Sequence, residues 1–147
     1  SLYRVRDVDL EPAPVAHVGQ SVGELLAERQ RTYHGFVLLV DDDARPIGWV
    51  ELAELDPATA LSEDHADPMS PLLDRRATLK DATSRLLDEE VRNGVVTDRD
   101  GRVLGLLTLR SIMDWMQDDR SLDVPDDIAD AVSEAVVSDE APAPPAA

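Results

Sequence analysis

The chain has 147 residues, no cysteine and a formal net charge of −17, and these three properties already limit what it can be. The length suits one domain or two small packed modules, while the lack of cysteine excludes disulfides, thiolate catalysis and cysteine-based metal sites. The negative charge repels phosphate backbones and the aromatic share is only 3%, so nucleic acid is excluded as a partner.

The sequence carries no targeting or membrane signal. Its longest apolar run, Phe36 to Val40, has five residues, whereas a membrane helix needs about 20. No basic start followed by an apolar stretch marks a signal peptide. Because the chain also does not begin with Met, we expect a cytoplasmic fragment of a longer protein that does not itself insert into a membrane.

The most informative pattern is an internal repeat with an offset of 57 residues and no gap. Polar, apolar and glycine positions all stay in register, which a chance match would seldom preserve. The matched pairs include Ser21 with Thr78, Glu24 with Asp81, Asp41 with Asp98, Asp43 with Asp100, Arg45 with Arg102, Gly48 with Gly105 and Val50 with Leu107. The sequence therefore predicts two copies of one structural unit.

The first unit, residues 8–55, predicts a strand, a helix, a hairpin and a closing helix. Ser21 is a predicted N-cap, because an acid follows it three residues later, and the apolar face weakens after the first turn of this helix. A turn rich in Asp joins the two hairpin strands, and Gly48 in the second strand predicts a close approach of another segment to the backbone. The predicted hairpin strands are Phe36–Val40 and Ile47–Val50, and the predicted closing helix is Leu52–Leu55.

A segment rich in Asp, Pro, Ala and Ser, residues 56–70, is predicted to link this unit to the second, residues 71–117. The second unit repeats the pattern, with Thr78 as the predicted N-cap and Gly105 at the matched position in the strand. Its predicted hairpin strands are Gly94–Thr97 and Val103–Leu107, and its predicted closing helix is Leu109–Met116.

The remainder, residues 118–147, is an acidic tail rich in Pro and Ala, with nine acids against a single arginine. One amphipathic helix is predicted in it, because Pro125 suits a first helical position and a single apolar face follows. That face comprises Ile128, Val132, Ala135 and Val136. Residues 138–147 are predicted to be disordered.

The two units resemble a tandem pair of cystathionine-β-synthase (CBS) domains, also called a Bateman module. The resemblance rests on residues 95–108, VVTDRDGRVLGLLT, and on the capped helix that precedes each hairpin. It implies an α/β (α+β) fold in which two strand-helix-strand-strand-helix repeats are related by a pseudo-twofold axis. It also implies a non-catalytic regulatory module that forms homodimers and binds adenine-containing ligands in clefts between the repeats.

The resemblance assigns ligand-binding positions that this sequence matches only in part. Family members that bind nucleotides place Ser or Thr after the second hairpin strand, to receive phosphate, and an Asp three residues later, to accept from ribose. In the second unit Thr108 matches, but Ser111 replaces the Asp. In the first unit Glu51 and Glu54 stand at these positions. Glu54 could still accept from ribose, whereas Glu51 places a negative charge where phosphate would lie.

The resemblance also assigns Leu72 and Val95 to the ligand clefts. These assignments compete with plainer interpretations: Thr108 suits an ordinary helix N-cap, and the two glutamates suit a solvated helix face. The possible ligands are therefore an adenine nucleotide or cyclic di-AMP, or none at all.

A narrower resemblance concerns the parent protein. Residues 10–15, 48–50 and 107–112 look like the C-terminal CBS pair of the ATP-binding subunits of bacterial glycine betaine/choline-type ABC transporters. This implies an attached ATPase domain at the inner face of the membrane, and osmoregulation of the import of compatible solutes through a nucleotide, a cyclic dinucleotide or ionic strength. The alternatives are a structural dimerisation module with non-functional clefts, and a CBS pair that regulates a different enzyme or transporter.

The sequence contains no recognisable enzymatic or metal-binding motif. The histidines at 17, 34 and 65 do not have the spacing of metal ligands, and the Asp-rich turns have Leu where a calcium loop needs a glutamate at its twelfth position. There is no nucleophile elbow, P-loop or dinucleotide-binding glycine motif. We therefore expect neither catalysis nor a bound metal.

Overall fold

A computed structural model of the chain describes residues 3–67, 71–118 and 126–137, and within them it shows two similar α+β units. The first unit contains β1 (Val15–His17), α1 (Val22–Ala27), β2 (Phe36–Val40) and β3 (Pro46–Glu51). The second contains β4 (Leu72–Asp74), α2 (Leu79–Asp88), β5 (Asn93–Thr97), β6 (Val103–Thr108) and α3 (Leu109–Asp118), and it is followed by α4 (Asp126–Val137). The predicted mixed fold is confirmed.

The two sheets have the same topology and the same register. In each, the first strand pairs in parallel with the second, and the second pairs antiparallel with the third. Val15 faces Leu38 in the first sheet and Leu72 faces Val95 in the second, so the pairing repeats at the offset of 57 residues that the sequence shows. The irregularity in each hairpin, after Leu39 and after Val96, keeps that offset too.

Both helix starts lie where the sequence predicts them. The Oγ of Ser21 accepts a hydrogen bond of 3.1 Å from the backbone N–H of Glu24, and the Oγ1 of Thr78 accepts one of 3.1 Å from Asp81. Each hydroxyl satisfies an amide that has no partner within the helix. The polar caps therefore fix where α1 and α2 begin.

The closing element of the first unit differs from its prediction. Instead of a helix over Leu52–Leu55, the chain forms one 3-10 turn, Leu52–Glu54. Pro57 explains the early end, because a proline disfavours helical dihedrals in the residue before it. The second unit has no proline at the matched position, and α3 there continues for ten residues.

The segment that precedes the first strand of each unit pairs with a sheet: the one before β1 pairs with β6 of the second unit, and the one before β4 pairs with β3 of the first. Glu11 exchanges backbone hydrogen bonds of 2.9 and 2.8 Å with Leu106 on β6. Asp67 exchanges bonds of 2.8 and 3.1 Å with Trp49 on β3, at the matched position. The two units are therefore joined by reciprocal backbone pairing as well as by side-chain packing.

The two strand glycines allow this pairing. A Cβ at Gly105 would lie 2.8 Å from the carbonyl oxygen of Glu11, and a Cβ at Gly48 would overlap the carbonyl oxygen of Asp67. The close backbone approach predicted at both glycines is confirmed.

Three hydrophobic clusters stabilise the fold, one in each unit and one between the two sheets. The cluster between the sheets draws on both hairpins and comprises Leu38, Val40, Trp49, Val95 and Leu106, all nearly inaccessible to solvent. The second-unit cluster also includes Val132 and Val136 of α4, while Ile128 and Ala135 pack against it. The predicted apolar face of α4 is confirmed; Pro125 and residues 138–147 lie outside the described residues.

Candidate functional site

A tight turn at the end of the first helical segment presents an aromatic pair to the second unit. The backbone N–H of Tyr33 donates to Phe36 O at 2.8 Å, and the N–H of Phe36 donates to Tyr33 O at 2.9 Å. The two central residues, His34 and Gly35, have φ values of 51° and 85°, as a type I′ turn requires. The rings of Tyr33 and His34 meet edge to face, with centroids 4.5 Å apart.

This turn forms one side of a cleft between the units, which we call the Thr108 cleft. It has a cavity volume of about 220 Å³, and a neighbouring cavity of about 320 Å³ shares Glu11, Tyr33 and His34 with it. The residues that line the Thr108 cleft are Glu11, Tyr33, His34, Arg92, Thr108, Leu109, Arg110, Ala135 and Val136. The cleft thus takes residues from the leading segment, from both units and from α4.

Thr108 lies at the start of α3 and is only 5% exposed. Its Oγ1 accepts a hydrogen bond of 3.0 Å from the backbone N–H of Ser111, and the two hydroxyl oxygens lie 2.8 Å apart. Thr108 therefore has an N-capping role here. Ser111 is not among the residues that line the Thr108 cleft. It lines a separate cavity of about 370 Å³, together with Asp114 and Trp115.

The other three residues that the sequence assigned to ligand binding lie elsewhere. Val95 is fully buried in the cluster between the sheets, and its register partner Leu72 is 44% exposed. Glu54 is exposed on the 3-10 turn of the first unit. The structure thus brings Thr108 and Ser111 together and pairs Leu72 with Val95, but places none of Leu72, Val95 and Glu54 among the residues lining the Thr108 cleft.

The matched position in the first unit is strongly acidic. Partial burial, followed by the neighbouring Glu54 and Asp67 carboxylates, raises the pKa of Glu51 above its ordinary value. A raised pKa shows that another negative charge at this place is unfavourable. Asp67 adds a further negative charge near Glu51, which makes this position still less suitable for a phosphate. The sequence alone did not indicate that Asp67 and Glu51 lie close together.

Of the nine residues that line the Thr108 cleft, the sequence assigned only Thr108 to ligand binding. The polar and aromatic residues that it missed are Glu11, Tyr33, His34, Arg92 and Arg110, and the apolar ones are Leu109, Ala135 and Val136. The His-Gly pair before an apolar strand is a signal that could have indicated the turn. The position of Glu11 depends on the exchange of leading segments between the units, which no local pattern reveals.

No metal centre is found among the described residues, which contain no group of three or more His, Asp or Glu side chains able to hold an ion. In the same part of the chain, no helix is both long enough and apolar enough to cross a membrane.

Residues 69–118 match the family model of the CBS domain. No curated protein sequence matches the chain. Many solved structures resemble the chain. Staphylococcus aureus OpuCA is 19% identical, with 78% of this chain and 97% of that chain covered and a TM-score of 0.62. CBSX2 in complex with AMP is 25% identical, with 79% and 97% covered and a TM-score of 0.60.

A third structure is the cytosolic domain of the Mg2+ channel MgtE in complex with ATP, which is 20% identical with a TM-score of 0.57. The match covers 70% of this chain but only 44% of the MgtE chain. The fold is that of a tandem CBS pair. The second unit is a CBS domain, and the first repeats its architecture.

Proposed function

We propose that this CBS pair is a sensor that binds one adenine nucleotide in the Thr108 cleft and thereby biases the activity of an attached domain. The observation that carries the proposal is the lining of the cleft. In a chain with a net charge of −17, this cleft brings together two arginines, an aromatic ring and a helix N-terminus.

Each of these groups suits one part of a nucleotide. The Tyr33 ring offers a face on which a purine can stack. Arg92 and Arg110 offer charged donors for phosphate oxygens, and the N-terminus of α3 at Thr108 adds the positive end of a helix dipole. The carboxylate of Glu11 can accept from ribose hydroxyls, a role that family members give to the Asp replaced here by Ser111.

We infer one nucleotide for each chain, because the first unit lacks these features. At the positions of Thr108 and Ser111 it has Glu51 and Glu54, with the carboxylate of Asp67 close by. We keep Glu54, Leu72 and Val95, the strand partner of Leu72, as proposed residues of a second cleft, which would reject phosphate.

We further propose that the attached domain is the ATP-binding subunit of a compatible-solute importer, in a homodimeric assembly at the inner face of the membrane. The likeness to OpuCA supports a transporter context, and the AMP and ATP complexes of CBSX2 and MgtE support an adenine ligand. A ligand that binds one arrangement of the pair more tightly would shift the attached domain toward that arrangement.

A thermal-shift scan of the full chain tests the proposal, with AMP, ATP, cyclic di-AMP and S-adenosylmethionine at low and high salt. A ligand at a hundred times its dissociation constant should add about 2.7 kcal/mol of stability, which such a scan detects. We expect the shift to be lost in Arg110→Ala and kept in Arg99→Ala. The latter removes the same charge from an exposed residue of the β5–β6 turn.

A structural dimerisation module is the second candidate, and the hydrogen bonds of Thr108 favour it, because its hydroxyl already has partners at Ser111. In that case no ligand would shift the melting temperature at either salt concentration, and sedimentation would show a stable dimer. A melting temperature that responds to salt alone would instead support sensing of ionic strength.

A further inference from the structure

The helix α4 is an addition to the CBS pair, and it is firmly packed on the second unit. Val132 is fully buried and Val136 is 7% exposed, both within the cluster that includes Leu86 of α2 and Ile112 of α3. Ser133, next to Val132, is exposed, so one face of α4 is apolar and packed while the other faces solvent.

The C-terminal end of α4 also reaches the Thr108 cleft. Ala135 and Val136 line this cleft together with Thr108, Leu109 and Arg110. Most of the other lining residues are polar or charged, so α4 supplies much of the apolar surface. A purine ring needs such a surface on one of its faces, since binding sites for small molecules are largely apolar with a few polar groups.

We propose that α4 is part of the nucleotide site, so that the packing of α4 on the second unit and the binding of nucleotide stabilise each other. This inference rests on the proposed function of the Thr108 cleft. With α4 packed, the cleft has its apolar wall; with α4 released, it loses that wall and the nucleotide loses the contact. Because coupling between two binding events is reciprocal, a bound nucleotide must hold α4 in place to the same degree.

The chain offers a matched pair of variants that test this coupling. Val132→Asp places a charge in the buried contact between α4 and the second unit, whereas Ser133→Asp adds the same charge on the exposed face one residue further along. Val132 does not line the cleft, so it can affect binding only through the packing of α4. Dissociation constants for AMP and ATP would be measured by calorimetry on the full chain.

We expect Val132→Asp to weaken nucleotide binding at least tenfold, which corresponds to about 1.4 kcal/mol, and Ser133→Asp to leave it unchanged. A second measurement needs no variant: saturating nucleotide should slow hydrogen exchange of the amides of residues 126–137 in the wild-type chain. This readout stays decisive if Val132→Asp does not fold.

The outcomes separate the two proposals. Unchanged or tighter binding in Val132→Asp, or exchange in α4 that does not slow with nucleotide, would overturn the coupling while the sensor function stands. A wild-type chain that binds neither AMP nor ATP would overturn the sensor function, and the coupling with it.

Discussion

The sheets of the two units have the same topology, whereas their helices differ. Strand order and register repeat at the same offset, whereas α1 has six residues and α2 has ten, and a 3-10 turn in the first unit stands where α3 runs for ten residues. The sheets carry the cluster that joins the units, so a change there would affect both. The Thr108 cleft is lined by a turn and by helix ends, so a change in one of these elements can alter the cleft without altering the sheets.

The shorter helix of one unit shapes the cleft of the other. In the first unit the chain leaves α1 at Ala27 and forms the turn with Tyr33 and His34, which face the Thr108 cleft. The matched residues of the second unit, Glu90 and Val91, directly follow α2 and its C-cap instead. The first unit therefore supplies part of the cleft beside the second, and the difference in helix length makes that contribution possible although the sheets are alike.

The largest effect is expected from the cluster between the sheets, where Trp49 and Leu106 occupy matched positions. Both are almost inaccessible, so truncation leaves a cavity that the neighbours fill only in part. We expect Trp49→Ala to lower the free energy of unfolding by about 4 kcal/mol and Leu106→Ala by about 3 kcal/mol. Urea denaturation would measure both, with the exposed Leu104→Ala as the control. Losses below 1 kcal/mol would contradict the shared cluster.

The strand glycines come next. A Cβ at Gly48 would overlap the Asp67 carbonyl oxygen, while at Gly105 it would lie 2.8 Å from that of Glu11. Both neighbours are backbone atoms, which cannot move aside easily, and the overlap is closer at Gly48. We therefore expect Gly48→Ala to reduce stability by about 3 kcal/mol and Gly105→Ala by about 2 kcal/mol. Chemical denaturation of the two variants side by side measures this, and the reverse order would contradict the reciprocal pairing.

A smaller effect is expected at the type I′ turn. His34 has a φ of 51°, which a β-branched residue tolerates poorly and an asparagine adopts readily. His34→Val should therefore reduce stability by about 1 kcal/mol, whereas His34→Asn should leave it unchanged or raise it. Thermal unfolding checks both. Equal losses in the two variants would show that the His34 side chain, and not its backbone conformation, matters for stability.

The smallest expected effect is the contribution of one carboxylate in each unit to stability, which differs in sign and in its dependence on pH. The pKa of Glu51 is raised by burial and by the nearby carboxylates, so its ionisation opposes folding above the ordinary glutamate pKa. The pKa of Asp98 is lowered, chiefly by the backbone hydrogen bond from Arg102, so its ionised form favours folding. That stability is present above the ordinary aspartate pKa and is lost as the pH falls through the lowered value.

Melting temperatures at pH 7 and at low pH test this contrast. We expect Glu51→Gln to raise the melting temperature at pH 7 and Asp98→Asn to lower it. Both differences should shrink as the pH falls. The difference for Glu51 shrinks as the pH falls through its raised pKa and is absent below the ordinary glutamate pKa, whereas that for Asp98 disappears as the pH falls through its lowered pKa. Shifts of the same sign at pH 7 would contradict the assigned environments.

Local signals explain what the sequence could predict. The caps at Ser21 and Thr78 and the apolar run Phe36–Val40 depend on residues close in the chain, and the structure confirms each of them. The apolar face of α4 was predictable for the same reason. The prediction of a closing helix in the first unit was wrong in the type of helix: the chain forms a 3-10 turn there. Pro57 is the local signal that limits this helix.

The composition of the Thr108 cleft required information that local patterns do not hold. Glu11 reaches it because a leading segment crosses to the other sheet, and Ala135 reaches it because α4 packs on α2 and α3. Glu11 and its partner Leu106 lie about 100 positions apart in the chain, and α4 lies about 30 positions from the helices on which it packs. Neither periodicity nor the spacing of motifs can specify contacts over such separations. The resemblance to CBS pairs implied clefts between the repeats, but the sequence did not indicate which residues would line them.

The most direct test of the account is the number of nucleotides that one chain binds. Calorimetric titration of the full chain, with the nucleotide that gives the largest shift in the thermal scan, measures this number. The account predicts one site for each chain, removed by Arg110→Ala and insensitive to Glu54→Gln. Two equivalent sites, or a single site that survives Arg110→Ala and disappears with Glu54→Gln, would contradict it.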